Sequence, residues 1–241
     1  MQELSDNPSW LLRKVVQAFY KDRYKTAKWL VYIENLRNPN DYFTLCWYAN
    51  TLYFSGSHND HKAASLYMRA IEINSSHPLA HVGLGRIHYT NALRIISEYK
   101  MFPGGSDIMF ADELSSTDDR DKTCIRVKGF ADYECGNREI AIEELKHAAD
   151  LVNDADEKVE LLFMAAELLA EMNNKTGIIA FRKILDIDLN YNPAHFHLAG
   201  CYAATGQHKL ALQEYEFIKD NAPEIATDLA TLLANYNVDV P

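Results

Sequence analysis

Nine histidines, four cysteines and one acidic run are the groups with which this chain of 241 residues could do chemistry. The histidines gather as His58 and His61, His81 and His88, and His195 and His197. His81 and His88 stand two turns apart on a common helix face, but a metal site needs further thiolate, imidazole or carboxylate ligands at close spacing, and none stands beside them. All three groupings are read as structural or surface residues. GLGR at 83–86 has the glycines of a phosphate-cradling loop but lacks the third glycine and the preceding strand. Packing explains those glycines. The run SSTDDRDK at 115–122 lacks the ligand period and central glycine of a calcium loop. Asn174, Lys175 and Thr176 match a glycosylation triplet by chance, in a helical turn. No nucleophile, base and orienting partner can be named from spacing. The chain is expected to catalyse nothing and to hold no cofactor or metal.

Composition narrows the function further. Hydrophobic residues make up 48% of the chain, enough for a large core, and the net charge of -10 disfavours nucleic acid, whose binding rests on phosphate neutralisation. Arg13, Lys14, Lys21, Arg23, Lys25 and Lys28 concentrate near the N-terminus with acids between them, which reads as a solvated helix face. Cys46, Cys124, Cys135 and Cys201 lack CxxC spacing, as reduced thiols do. With no long apolar run and no leader-like start, the expected setting is nuclear or cytoplasmic, without a membrane partner.

The elements that must position these residues are helices in pairs. Asn192 to Ile225 gives the template: Ala199 and Ala211 where two helices approach, Tyr202 and Tyr215 as filling, Gly206 at the turn and Pro223 as the stop. Stepping back by about 34 residues places Ala165, Gly177 and Phe181 at the corresponding positions. In 122–155, Gly129, Gly136, Ala141, Leu145 and Ala148 fill them. In 42–77, Ala49, Gly56, Ala63, Tyr67 and Ala70 do so, with a turn insertion around 57–61. The region 8–41 reads as two helices broken near Asp22, with Ala27 at the close approach. The repeat opening at Pro78 decays after Tyr89: one helix to Tyr99, a breaker at Pro103-Gly104-Gly105, a short helix at 107–114 and a polar loop at 115–122. A last helix at 224–236 caps the array.

On these residues the chain is identified as a member of the tetratricopeptide-repeat (TPR) family. The expected fold is all-α: one domain over 1–241, a superhelix of about six hairpins (8–41, 42–77, 78–121, 122–155, 158–191, 192–225) and the cap. A hairpin cannot bury its apolar face alone, so each is stabilised by its neighbours. Positions that line the concave groove in the family carry Leu12, Val16, Phe19, Tyr20, Phe43, Tyr53, Phe54, Val82, Tyr89, Phe130 and Tyr133 here, joined by Trp10 and Trp47 as candidate dimer or groove contacts. Leu12, Val16 and Phe43 replace the Lys, Asn and Arg that would grip a terminal carboxylate, so a carboxylate clamp is not expected. An apolar groove calls for an amphipathic filler: the helix PSWLLRKVVQAFY of a second copy, or a segment of another protein. Reciprocal insertion would bury roughly 2,000 Å² or more. The bland alternative is that these residues only pack on the second hairpin.

The stretches FYKDRYKTAKWLVYIENL, DYFTLCWYANTLYFSG, HKAASLY and KGFADYECGNREIAIEELKHAADL resemble the N-terminal half of the TPR scaffold subunits of the anaphase-promoting complex, the cell division cycle protein 27 type first and the subunit six type second. The resemblance implies a homodimerising module of a nuclear ubiquitin-ligase scaffold, with other protein subunits as partners. Members of that family are much longer than this chain.

Overall fold

Helix boundaries follow the capping chemistry of the sequence. In a computed structural model that describes residues 8–55, 60–101 and 138–240, with backbone alone for 94–101, α1 spans Trp10–Phe19 and α2 Tyr24–Arg37. The Ser9 side chain accepts from the Leu12 N–H (3.0 Å) and opens α1. Asp22 turns the chain into α2 with φ of 56°, the left-handed region that Asp tolerates better than most residues. Asp41 accepts from the Thr44 N–H (2.8 Å) and hydroxyl (2.7 Å) at the start of α3, Tyr42–Phe54. Next come α4, Asp60–Ile73, and α5, Pro78–Met101, the single long helix expected up to Tyr99. Residues 138–151 form α6. Asp154 caps α7, Ala155–Met172, by accepting from Glu157 N–H (2.9 Å), and Asn173 caps α8, Asn174–Leu185. Then α9 (Asn192–Ala204), α10 (His208–Asn221) and α11 (Pro223–Ala234) follow, the last two starts close to those read from the sequence.

Among the described residues there are helices and no strands, and the fold class is all-α, of stacked hairpins. The turn at 56–59, the breaker at 103–105, the segments 107–114 and 115–122, the first half of the 122–155 repeat, and Cys124, Phe130, Tyr133 and Cys135 lie outside the described residues. The chain divides into two compact units, Met1–Leu151 and Val152–Pro241.

In the first unit, α1 pairs with α2 and α3 with α4, while α1, α3 and α5 touch one another in turn. Their shared core holds Val15, Ala27, Val31, Leu45, Ala49, Leu52, Ala63, Tyr67, Leu84 and Ile87. Small residues sit where backbones approach, and the fully buried Tyr67 fills the space beside them and donates to Asn50 Oδ1 (2.6 Å). Tyr42 reaches from α3 to the start of α5. Its Oη donates toward the His77 carbonyl (3.1 Å), lies 3.2 Å from His77 Nδ1 and accepts from the buried Ala80 N–H (3.0 Å). The Ala80 N–H at the helix start, one of the donors a helix cannot pair within itself, is satisfied by a side chain from another helix.

α6, which the spacing reads as the second helix of the repeat at 122–155, packs on α5. His81 Nδ1 lies 2.5 Å from Glu144 Oε2, its ring meets His147 edge-on at 4.4 Å, and a Cβ at Gly85 would press on Leu145.

In the second unit α7 pairs with α8, α9 with α10, and α11 closes on α9 and α10. Phe181, Leu198, Tyr202, Ile218, Leu229 and Leu233 form its core. Gly206 (φ 74°) makes the α9–α10 turn, and Gly177 lets α8 cross α7 so closely that a Cβ would meet Ala170. No helix among the described residues is long and apolar enough to cross a membrane.

Candidate protein-interaction site

The aromatic residues named from the sequence converge at the C-terminal ends of α1 and α3. Phe19 is the hub: its ring centroid lies 5.2 Å from Trp47, 5.3 Å from Phe54, 5.3 Å from Tyr24 and 5.9 Å from Tyr20, all edge-on. Tyr20 also meets Trp47 (6.1 Å), Tyr24 stacks on Phe54 (6.3 Å, 17°), and Tyr53 meets Phe54 (5.1 Å). Edge-on geometry aligns the positive rim of one ring with the negative face of the next. The Tyr53 and Thr90 hydroxyls, 2.8 Å apart, tie the cluster to α5. The outer members are open to solvent, Tyr20 at 61% and Phe54 at 47%.

Other named residues sit elsewhere. Leu12 and Trp47, each 2% exposed, belong to the core. They support the surface from beneath and offer a partner nothing. Val82 is buried as well, and Val16 is partly covered by the same core. Phe43 packs on Tyr42 and His77 instead of joining the cluster, and Tyr89 is half-buried on α5. Trp10 stands exposed at the start of α1. Tyr24, at the α1–α2 turn, was missed. Its hydroxyl donates to Asp22 Oδ1 (2.8 Å), and that bond, with a smaller share from burial, raises its pKa.

The groups capable of chemistry are held in quiet states. Burial pushes the Cys46 thiol up to about 12 and the Cys201 thiol up to about 11, so neither supplies a thiolate at neutral pH. Both are free and buried. Burial likewise raises Tyr42 and Tyr67 far above the ordinary phenol range. His195 Nδ1 lies 2.6 Å from Glu214 Oε2 and its Nε2 2.9 Å from the Leu189 carbonyl. Burial pulls its pKa down, but the Glu214 bond and the Leu189 carbonyl together outweigh burial and leave it raised. His197 shows the reverse: burial lowers it, against Glu167 and Glu171. His81 repeats the His195 arrangement, with Nε2 3.0 Å from the Ser75 carbonyl six residues upstream and Nδ1 on Glu144. In both cases the imidazole fastens a helix start to a carboxylate of the facing helix. No group of His, Cys, Asp or Glu among the described residues is placed to hold a metal ion.

The arrangement is that of an array of helical hairpins with an aromatic surface open at the ends of α1 and α3. No family model and no curated protein matches the chain. Solved structures do. The chain is similar to the MamA protein at 14% identity, with a TM-score of 0.60 over 90% of this chain and 92% of that one. It is similar to the RS-1 ArsTM double mutant of MamA at 15% identity and the same TM-score, over 90% and 96% of the two chains. A thermophilic TPR protein of Thermus thermophilus aligns at 19% identity over 94% and 97%, with a TM-score of 0.48. At these identities the MamA likeness bears on the fold alone.

Proposed function

We propose that the chain is a non-enzymatic scaffold module that binds a second copy of itself through the exposed part of the Phe19 cluster. The observation that carries the reading is the opening of that cluster to water: Tyr20 and Phe54 extend a packed aromatic network outward, where solvent gives no return for ordering them. Val16 flanks it on α1, the helix read from the sequence as the inserting element, whose start carries the exposed Trp10. The finer assignment is to the N-terminal part of an anaphase-promoting-complex TPR subunit, acting in a nuclear ubiquitin ligase of the cell cycle alongside other protein subunits. It is supported by the resemblance of 19–36, 41–56, 61–67 and 128–151 to those subunits.

Light scattering tests the module itself. At tens of micromolar the protein is expected to be a dimer, and Tyr20→Glu with Phe54→Glu, both at exposed positions, is expected to give a folded monomer. A monomeric wild type at that concentration refutes the homodimer and leaves a TPR adaptor that captures a segment of another protein.

A further inference from the structure

The far side of α2 carries a second surface. α2 turns Ala27, Val31 and Glu34 inward and holds Lys25, Trp29, Tyr32 and Leu36 in one stripe outward, Trp29 at 63% and Tyr32 at 49% exposure. Lys25, Lys28, Trp29 and Tyr32 wall an open depression of about 370 Å³ whose remaining lining residue is Tyr48 of α3. The Lys62 ammonium stands 5.7 Å from the Tyr48 ring centroid, placing a third positive charge beside the depression. The one acid of α2, Glu34, is buried and accepts from Asn38 Nδ2 (2.9 Å). Lys25 and Lys28 form no ion pair among the described residues. On a chain of net charge -10 this face is a local exception: aromatic, basic and without a carboxylate of its own.

That combination specifies a partner. A shallow aromatic depression accepts one planar or branched apolar side chain. The ammonium groups around it select what flanks that side chain, since opposite charges reward contact and like charges penalise it. The net charge of -10 disfavours an acidic partner over the chain as a whole, so such a partner gains most where basic and aromatic groups meet. We propose that the outer face of α2, with Tyr48 and Lys62, docks an acidic segment of a protein partner, seating one aromatic or leucine side chain between Trp29, Tyr32 and Tyr48 and setting carboxylates against Lys25, Lys28 and Lys62. The surface is built from α2, Tyr48 and Lys62 and shares no residue with the Phe19 cluster.

The test is NMR titration of the tryptophan indole N–H signals of the whole chain. Two probes are used: a short capped peptide of Glu and Asp around one Phe-Leu pair, and its twin with every acid changed to Lys. The acidic peptide is expected to shift the Trp29 signal and leave that of buried Trp47 in place, with a midpoint between about 0.1 and 1 mM, the range of a single anchor with few ion pairs. The midpoint should rise several-fold as salt increases to about 0.5 M. Lys25→Glu with Lys28→Glu should abolish the response to the acidic peptide and create one to the basic twin, while an unmoved Trp47 signal reports an intact fold. Equal shifts with both peptides, or none up to several times about 1 mM, overturn the proposal. So does a Trp29 signal that moves on dilution of the protein alone, which assigns the face to self-association.

Discussion

Tyr42→Phe removes one oxygen atom and, with it, two hydrogen bonds to the backbone at the start of α5. The ring stays in place, still packed edge-on against Phe43 and tilted against His77, so no cavity of consequence forms. What is lost is an acceptor for Ala80 N–H, at a residue with no exposed surface, and a donor toward the His77 carbonyl. A buried polar group left unpaired costs about 1–3 kcal/mol. The carbonyl can find other company more easily than the N–H, so the total should lie near about 2 kcal/mol. For a unit of this size each kcal/mol moves the melting temperature by about 2–4 °C, giving a fall of about 4–8 °C. Trp10, Trp29 and Trp47, the only tryptophans, all lie in the first unit, so a fluorescence-monitored melt reads that unit alone. Tyr53→Phe is the control, since its bond to Thr90 is solvent-exposed and its loss should cost below about 0.5 kcal/mol. Equal melts for Tyr42→Phe and the wild type would refute the claim that this phenol caps α5.

The remaining expectations concern titration, packing and reactivity. With His195 raised and His197 lowered, proton NMR on rising pH should show His197 losing its proton before His195 does. Because the raised His195 binds its proton more tightly when folded, its stabilisation is complete below the unfolded value of about 6.5 and is lost as pH climbs through the folded pKa. Denaturant titrations should show that decline, and His195→Gln should flatten it. Gly206→Ala, at φ 74° with open space around it, should cost about 1 kcal/mol from conformation alone. Gly177→Ala meets Ala170 and should cost about 1–3 kcal/mol, both read by urea unfolding. Cys46 and Cys201 should resist a thiol reagent until denaturant is added, as peptide mapping by mass spectrometry would record.

Local features and the hairpin array were legible in the sequence, while the facing of individual side chains was not. Capping by Ser9, Asp41 and Asp154, the turn at Asp22 and the length of α5 follow from residues within a few positions of one another. The aromatic surface was legible in composition but not in orientation. A repeat template places Leu12 and Trp47 with Tyr20 and Phe54, and only the packing of neighbouring helices decides which pair the core swallows. The contact of α6 with α5 runs through His81, Glu144, Gly85 and Leu145, residues far apart along the chain that a repeat template does not pair. A signal existed: HPLAH and NPAH both place a histidine just inside a helix start, and EELKHA and QEYEFI each offer a glutamate one turn before an apolar step. Trp29 and Tyr32 were passed over since a template for the groove does not score the outer face of a second helix.

The bond from His81 to Glu144 closes 63 residues of chain, whereas its counterpart from His195 to Glu214 closes 19. In equilibrium terms the longer closure costs only about 1 kcal/mol more. In time it costs more. A ribosome adding about 5–20 residues per second completes α10 within a few seconds of His195, but needs about two to three times as long between His81 and Glu144. Throughout that interval the side of α5 bearing His81 and Gly85 has been made and its covering helix has not. The translation speed of 102–137 therefore sets how long a newborn chain presents that side to chaperones.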